Sequence, residues 1–173
     1  TRSFDSGKVS FHHHEVVGAR MTKRRMRELK YSNELLADVS RLVYLHLRFH
    51  TYQMGWTDSA VRRFVRDAGP LLDRLSDLTR SDCTTRNRRK AEQLSDRMDS
   101  LEERIAVLAA EEELAALRPD LDGKDVIRLL GIEPGPVVGR ALAHLLELRL
   151  EHGPLEPERA EVELRAWWAG QNA

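Results

Sequence analysis

The chain has 173 residues, enough for one compact domain or two small ones with a real hydrophobic core. Its 28 basic and 28 acidic side chains cancel, so bulk charge names no partner, and 41% apolar with 32% charged residues excludes a disordered chain. No apolar run approaches the roughly 18 residues that span a bilayer, and the one cysteine, Cys83, excludes an internal disulfide and favours a reducing, cytoplasmic setting.

The chain opens on Thr1 rather than Met, which suggests a piece of a longer protein. Asp5-Ser6-Gly7 between short mixed segments reads as a turn or small hairpin within residues 1–11. From about His13 to Lys30 the helical signal is looser: Val17 and Met21 are four apart, Met26 and Leu29 three apart, on no shared stripe. Ser32 then caps a second helix with a broad apolar face of Leu35, Leu36, Val39, Leu42, Val43, Leu45 and Leu47. Gly55 interrupts it, Thr57 opens a third helix, and Gly69-Pro70 stops that one in the usual order. Pro70 opens a fourth helix that runs to Asp82.

After Asp82 the character changes. No Gly or Pro falls between Arg86 and Arg118, and Leu94, Met98, Leu101, Ile105 and Leu108 step by 4, 3, 4 and 3. That seam suits a helix packed in a bundle and is too short for a free coiled coil. Three shorter helices follow over about 123–130, 136–151 and 157–169, punctuated by Gly131, Pro134, Gly135, Pro136, Gly153, Pro154 and Pro157. No strand pattern stands out, so the expected class is all-α: a multi-helix bundle over 1–85 and a helical tail region over 86–173.

The zero net charge hides a split. Residues 1–90 hold 19 basic and 10 acidic side chains, and residues 91–173 hold 9 and 18. Such asymmetry points to nucleic-acid contact by the basic part. Three clusters carry it: Arg20, Lys23, Arg24, Arg25, Arg27 and Lys30; Arg62, Arg63 and Arg66; and Arg80, Arg86, Arg88, Arg89 and Lys90. The third is the strongest candidate for phosphate, because Arg86, Arg88, Arg89 and Lys90 concentrate forked donors at a junction. A second candidate lies in Gly131 to Gly139, where Gly135 and Gly139 let backbone approach closely. A helix starting near Pro136 would offer its free N–H groups to phosphate, loosely like a helix–hairpin–helix clip. An ordinary tight helix–helix turn explains the same residues, and Glu133 argues against an anion there. Ordinary solvated helix faces likewise explain charge clusters.

Among titratable groups, His12-His13-His14 cannot form one metal site on a helix, because only one of three consecutive residues points at a given spot. His46 lies in the apolar face of the second helix, and Asp82 lies near a helix C-terminus, where a carboxylate is disfavoured. His and carboxylate on separate helices are how a bundle builds a metal site, while a satisfied core histidine accounts for His46 alone. Asp120-Leu121-Asp122 reads as the cap of the helix that follows. Trp167 and Trp168 are expected to pack the tail, one inward and one exposed.

The strings SFHHHEVVGARM, LVYLHLRFHTY, WTDSAVRRFVRDAGP and TRSDCTTRN together resemble the later portion of an HD domain. More closely, the chain is similar to the HD domain and C-terminal region of bacterial CCA-adding tRNA nucleotidyltransferases and related poly(A) polymerases. DLDGKDVIRLLGIEPGPVVGRALAHLLELRLEHG matches that group's tail pattern. The resemblance covers nearly the whole chain. It implies that His14, with Phe11, Gly18 and Ala19 in register, His46 and Asp82 correspond to members of the HD metal set, without the His-Asp doublet. It implies a parent enzyme that uses Mg²⁺ for nucleotidyl transfer, while the Gly-Ser loop and Asp-x-Asp pair of the catalytic head are not in this sequence. This chain is therefore expected to bind and orient tRNA by its acceptor arm, with no catalytic residue and no cofactor of its own. ATP and CTP would be met only through the head. The alternative is a metal-dependent HD phosphohydrolase acting on a nucleotide or cyclic phosphate, with a transition metal on His14, His46 and Asp82.

Overall fold

The computed structural model describes residues 2–5, 8–11, 13–49, 52, 55–82, 87–112 and 117–171, with the side chains of 2–11 outside the description. Cys83 and Arg86 therefore lie outside the described residues. Strands β1 (Arg2–Asp5) and β2 (Lys8–Phe11) pair antiparallel, with Asp5 opposite Lys8, where the sequence marks a hairpin. The body is all-helical, as the periodicity predicts. Its helices are α1 (His14–Glu28), α2 (Asn33–Leu45), α3 (Asp58–Ala68), α4 (Leu72–Ser81), α5 (Arg88–Glu112), α6 (Gly123–Leu130), α7 (Pro136–His152) and α8 (Pro157–Gln171).

The stops and starts have local causes. Ser32 accepts the N–H of Leu35 at 3.2 Å, and Thr57 accepts that of Ala60 at 3.3 Å, so each satisfies an orphan donor of the helix it precedes. Gly69, at φ 55, ends α3, and a single 3-10 turn over Gly69–Leu71 feeds α4. Asp122 caps α6 by accepting from Lys124 and Asp125 at 2.7 and 2.9 Å, while Asp125 accepts from the Asp122 N–H at 3.3 Å. The Asp120–Asp122 pair is thus a structural element, as its place before a helix implies.

The chain forms two compact units, and neither is one continuous stretch. The first comprises Thr1–Gly55 and Asp67–Arg104; the second comprises Trp56–Arg66 and Ile105–Ala173. The sequence suggests one cut near residue 85, but the units divide within α3 and within α5, because long-range pairing rather than loop composition decides which residues cluster. In the first unit α1 packs on α2, and α4 on α2. Gly18 eases the first contact: a Cβ there would sit a tight 3.2 Å from Val43 Cγ1. Leu36, Leu45, Phe49, Leu75, Met98 and Leu101 are buried. Each large apolar side chain so buried contributes about 1.5–3 kcal/mol. Leu35 and Tyr44, half a turn apart on the two flanks of α2, stay exposed, so its inward face is narrower than its apolar composition.

In the second unit Leu121, Val126, Ala141, Leu145, Leu155, Ala160 and Leu164 form one core under α6, α7 and α8. Trp167 packs against it and stacks on His144 at 5.7 Å between ring centroids, with Trp168 6.3 Å further on. Both tryptophans are half-buried, rather than one inward and one exposed. Val61, Phe64 and Val65 of α3 are also buried.

Candidate nucleic-acid interface

The three basic clusters, alike as strings, have different fates in the fold. Arg62 of α3 is 5% exposed. Its Nε and Nη2 donate to the two carboxylate oxygens of Glu112 at 2.7 and 2.6 Å, and its Nη1 reaches the Leu150 carbonyl at 3.2 Å. The Glu112 carboxylate holds the guanidinium pKa above its ordinary value against the effect of burial. Arg63 donates to Glu151 at 2.9 Å and to Glu147 at 3.4 Å, and Arg66 donates to Glu147 at 3.0 Å. Arg63, with Ser59, keeps the Glu151 carboxyl below the usual carboxylate range. The second cluster is a brace within its own unit.

The same surroundings hold Arg149, which pairs with Asp120 and donates to the Glu112 carbonyl at 3.1 Å. Two guanidiniums thus meet Glu112 at the C-terminal end of α5, one at its side chain and one at its backbone, where the helix dipole favours cations. Gly153 closes the arrangement at φ 82, ψ −165, with little room for a Cβ: one would lie 3.0 Å from Arg62 Nη2.

The third cluster divides. Arg80 of α4 donates to Asp99 and Glu102 of α5 at 2.7 and 2.8 Å, so it ties two helices together. Arg88 engages Glu92 one turn on, at 3.1 Å, while Arg89 and Lys90 project from the first turn of α5 with no ion pair among the described residues. In the second unit Gly135 and Gly139 line a shallow concavity with Lys124, Ile127 and Val138, so the starts of α6 and α7 face one opening. Gly135 precedes Pro136 and no side chain caps α7, in contrast to the fully capped α6.

The first cluster is the one in which most charges stand unengaged. Arg25 meets Glu28 at 3.2 Å, whereas Arg20, Lys23, Arg24, Arg27 and Lys30 are exposed and form no ion pair among the described residues. Sequence reasoning ranks this cluster below Arg86–Lys90, because pairing partners distant along the chain are invisible in a string. A concavity beside α2 lined by Glu15, Arg41, Tyr44, Arg48 and Asp67 has its own cations engaged: Arg41 holds the Asp67 carbonyl at 3.0 and 2.9 Å, and Arg48 holds the Asp67 carboxylate.

Of the metal set, the fold brings His14 and His46 together, with ring centroids 5.5 Å apart. His46 Nδ1 is already bonded to the Val43 carbonyl at 2.6 Å. Asp82 is exposed at the end of α4, and no group of three or more His, Cys, Asp or Glu side chains able to hold a metal occurs among the described residues. Two imidazoles do not make the ligand set that a bound transition metal needs, so these residues do not fit the metal that an HD domain implies. No described helix is long and apolar enough to cross a membrane.

No protein-family model matches the chain, and no solved structure matches it. Two characterised proteins do. An A-adding tRNA nucleotidyltransferase of Deinococcus radiodurans is 34% identical over 166 residues, covering 96% of this chain and 37% of the relative. A CC-adding tRNA nucleotidyltransferase of Thermus thermophilus is 33% identical over 179 residues, covering 100% of this chain and 38% of the relative. The chain spans little more than a third of the length of these relatives. Over essentially its whole length it is similar to a stretch of these A-adding and CC-adding tRNA nucleotidyltransferases.

Proposed function

We propose that this chain is the C-terminal, RNA-holding portion of a tRNA nucleotidyltransferase, which binds the acceptor arm and orients the 3′ end without transferring nucleotides itself. The observation that carries the reading is the similarity, over essentially the whole of this chain, to part of two tRNA nucleotidyltransferases whose names differ in the nucleotide they add. Nearly equal identity to an A-adding and a CC-adding relative suits a segment that handles the RNA common to both reactions and leaves nucleotide choice elsewhere. The helical surface supplies chemistry for that role. Arg89 and Lys90 on α5 are free to meet phosphates, and Gly135 and Gly139 border an uncapped helix start where a phosphate oxygen would find N–H donors. Few exposed aromatics and several exposed cations favour backbone recognition over base stacking.

The test is binding of labelled tRNA lacking its 3′-terminal CCA, by fluorescence anisotropy over a salt series, with duplex DNA as competitor. Binding that weakens linearly in log salt and prefers tRNA is expected, with a slope of about 0.7–0.9 per phosphate engaged. No binding even at low salt would refute the reading. Incorporation of CTP or ATP by the isolated chain would refute the division of labour.

A further inference from the structure

We infer that the outward face of α1 is the principal contact of this chain with the phosphate backbone of its RNA; the inference rests on the tRNA-binding reading above. At 3.6 residues per turn, Arg20, Lys23, Arg24 and Arg27 fall within an arc of about 100°, and all four are exposed. The opposite side of the helix carries the half-buried Gly18, Ala19, Thr22 and Met26, and a Cβ on Gly18 would lie 3.2 Å from Val43 of α2. The arc therefore points directly away from the helix that supports α1. Lys30, exposed at φ 59 just past the helix end, adds a fifth cation.

Charge complementarity selects the occupant. The two acids of α1, Glu15 and Glu28, lie off the arc, and Glu28 is engaged by Arg25. None of the five cations has an ion-pair partner among the described residues, whereas the arginines of α3 and Arg80 of α4 are each held by one or two carboxylates. Unpaired cations at every turn of one helix, with no acid between them, match the regular line of charge along an RNA strand. Their spacing along the axis is about 10 Å from Arg20 to Arg27, so one backbone segment meets several of them together.

Two variants of the 173-residue chain test this: Arg20→Gln/Arg27→Gln, and the same with Lys23→Gln and Arg24→Gln added. A third, Arg159→Gln/Arg165→Gln on α8, removes the same number of charges as the first from another helix. With tRNA lacking CCA as the probe, the fourfold variant is expected to weaken binding by at least tenfold near 100 mM salt and to lower the log–log salt slope by about 3–4. The α8 pair is expected to move Kd less than the α1 pair does. Circular dichroism melting reports that the exposed replacements leave the fold intact, and Lys in place of each Arg is expected to keep most of the affinity. A parent chain that binds tRNA while all α1 variants bind equally well overturns this inference and leaves the tRNA-binding reading standing. A parent chain that ignores tRNA but binds polyglutamate through α1 overturns both, and assigns the face to an acidic protein.

Discussion

Helices α1 and α3 are both rich in basic side chains, yet they put their arginines to opposite uses. In α3 the three arginines are engaged by Glu112, Glu147 and Glu151, which lie 50 to 88 residues later in the chain, Arg62 in a buried pair and Arg63 and Arg66 nearer the surface. In α1 the cations stand outward with no such partners among the described residues. Basic density along a sequence therefore says little about a binding face until the acids that the fold brings alongside are known. An arginine whose donors are already directed at carboxylates cannot also direct them at phosphate.

Experiments can break or sharpen this contrast. The largest expected effect is at the buried pair. Glu112→Ala strands the Arg62 guanidinium, whose side chain and partner are only 6% and 9% exposed, and should cost about 3–5 kcal/mol. For a domain of this size that is a fall in Tm of roughly 10 °C or more, read by calorimetry. Arg62→Met with Glu112→Leu should recover most of the loss. A double variant no better than the single one would show that the pair does more than compensate two charges. Next is Gly153→Ala, which places a Cβ against Arg62 in a backbone conformation that only glycine adopts easily. A loss of about 1–3 kcal/mol is expected, and an unchanged denaturation midpoint would mean that the brace tolerates displacement.

Replacing the α1 cations by Gln should change stability by less than about 0.5 kcal/mol, because exposed unpaired charges support no packing. A Tm shift of several degrees would place α1 in the same structural class as α3. The smallest effect concerns pH. Arg63 and Ser59 hold the Glu151 carboxyl below its unfolded value, so its contribution is present above about pH 4.3 and is lost as pH falls through the lower, folded value. Melting curves of the parent chain and Glu151→Gln should therefore differ at neutral pH and converge toward pH 3. Parallel curves across that range would show that Glu151 takes no part in holding Arg63.

Much of the scaffold was legible because punctuation is local. Gly123, Gly131, Pro136, Gly153 and Pro157 set the bounds of α6, α7 and α8 almost to the residue, and Ser32, Thr57 and Asp122 announced the starts of α2, α3 and α6. The family likeness rested on ordered motifs and survived comparison with whole proteins. The interface was less legible. The ranking of the basic clusters depended on long-range pairs such as Arg62 with Glu112, which no window of sequence reveals. The placement of the histidines and the aspartate was equally hidden: His14 and His46 share the α1–α2 contact, and Asp82 sits exposed at the end of α4. Even the extent of a helix face was ambiguous, since Leu35 falls in the apolar face of α2 by sequence and is exposed in the fold.

Helix α6 has only eight residues, well under the length at which an isolated helix persists in water. It exists because Asp122 and Asp125 close its first turn, Gly131 closes its last, and Val126 is fully buried. The amide protons bonded within it should therefore share one free energy of opening in hydrogen exchange, through a single opening event. Because Lys124 and Ile127 of that same helix line the concavity beside Gly135, its shape persists only between those openings. The lifetime of the small opening at the start of α7 is set by the stability of its shortest neighbour.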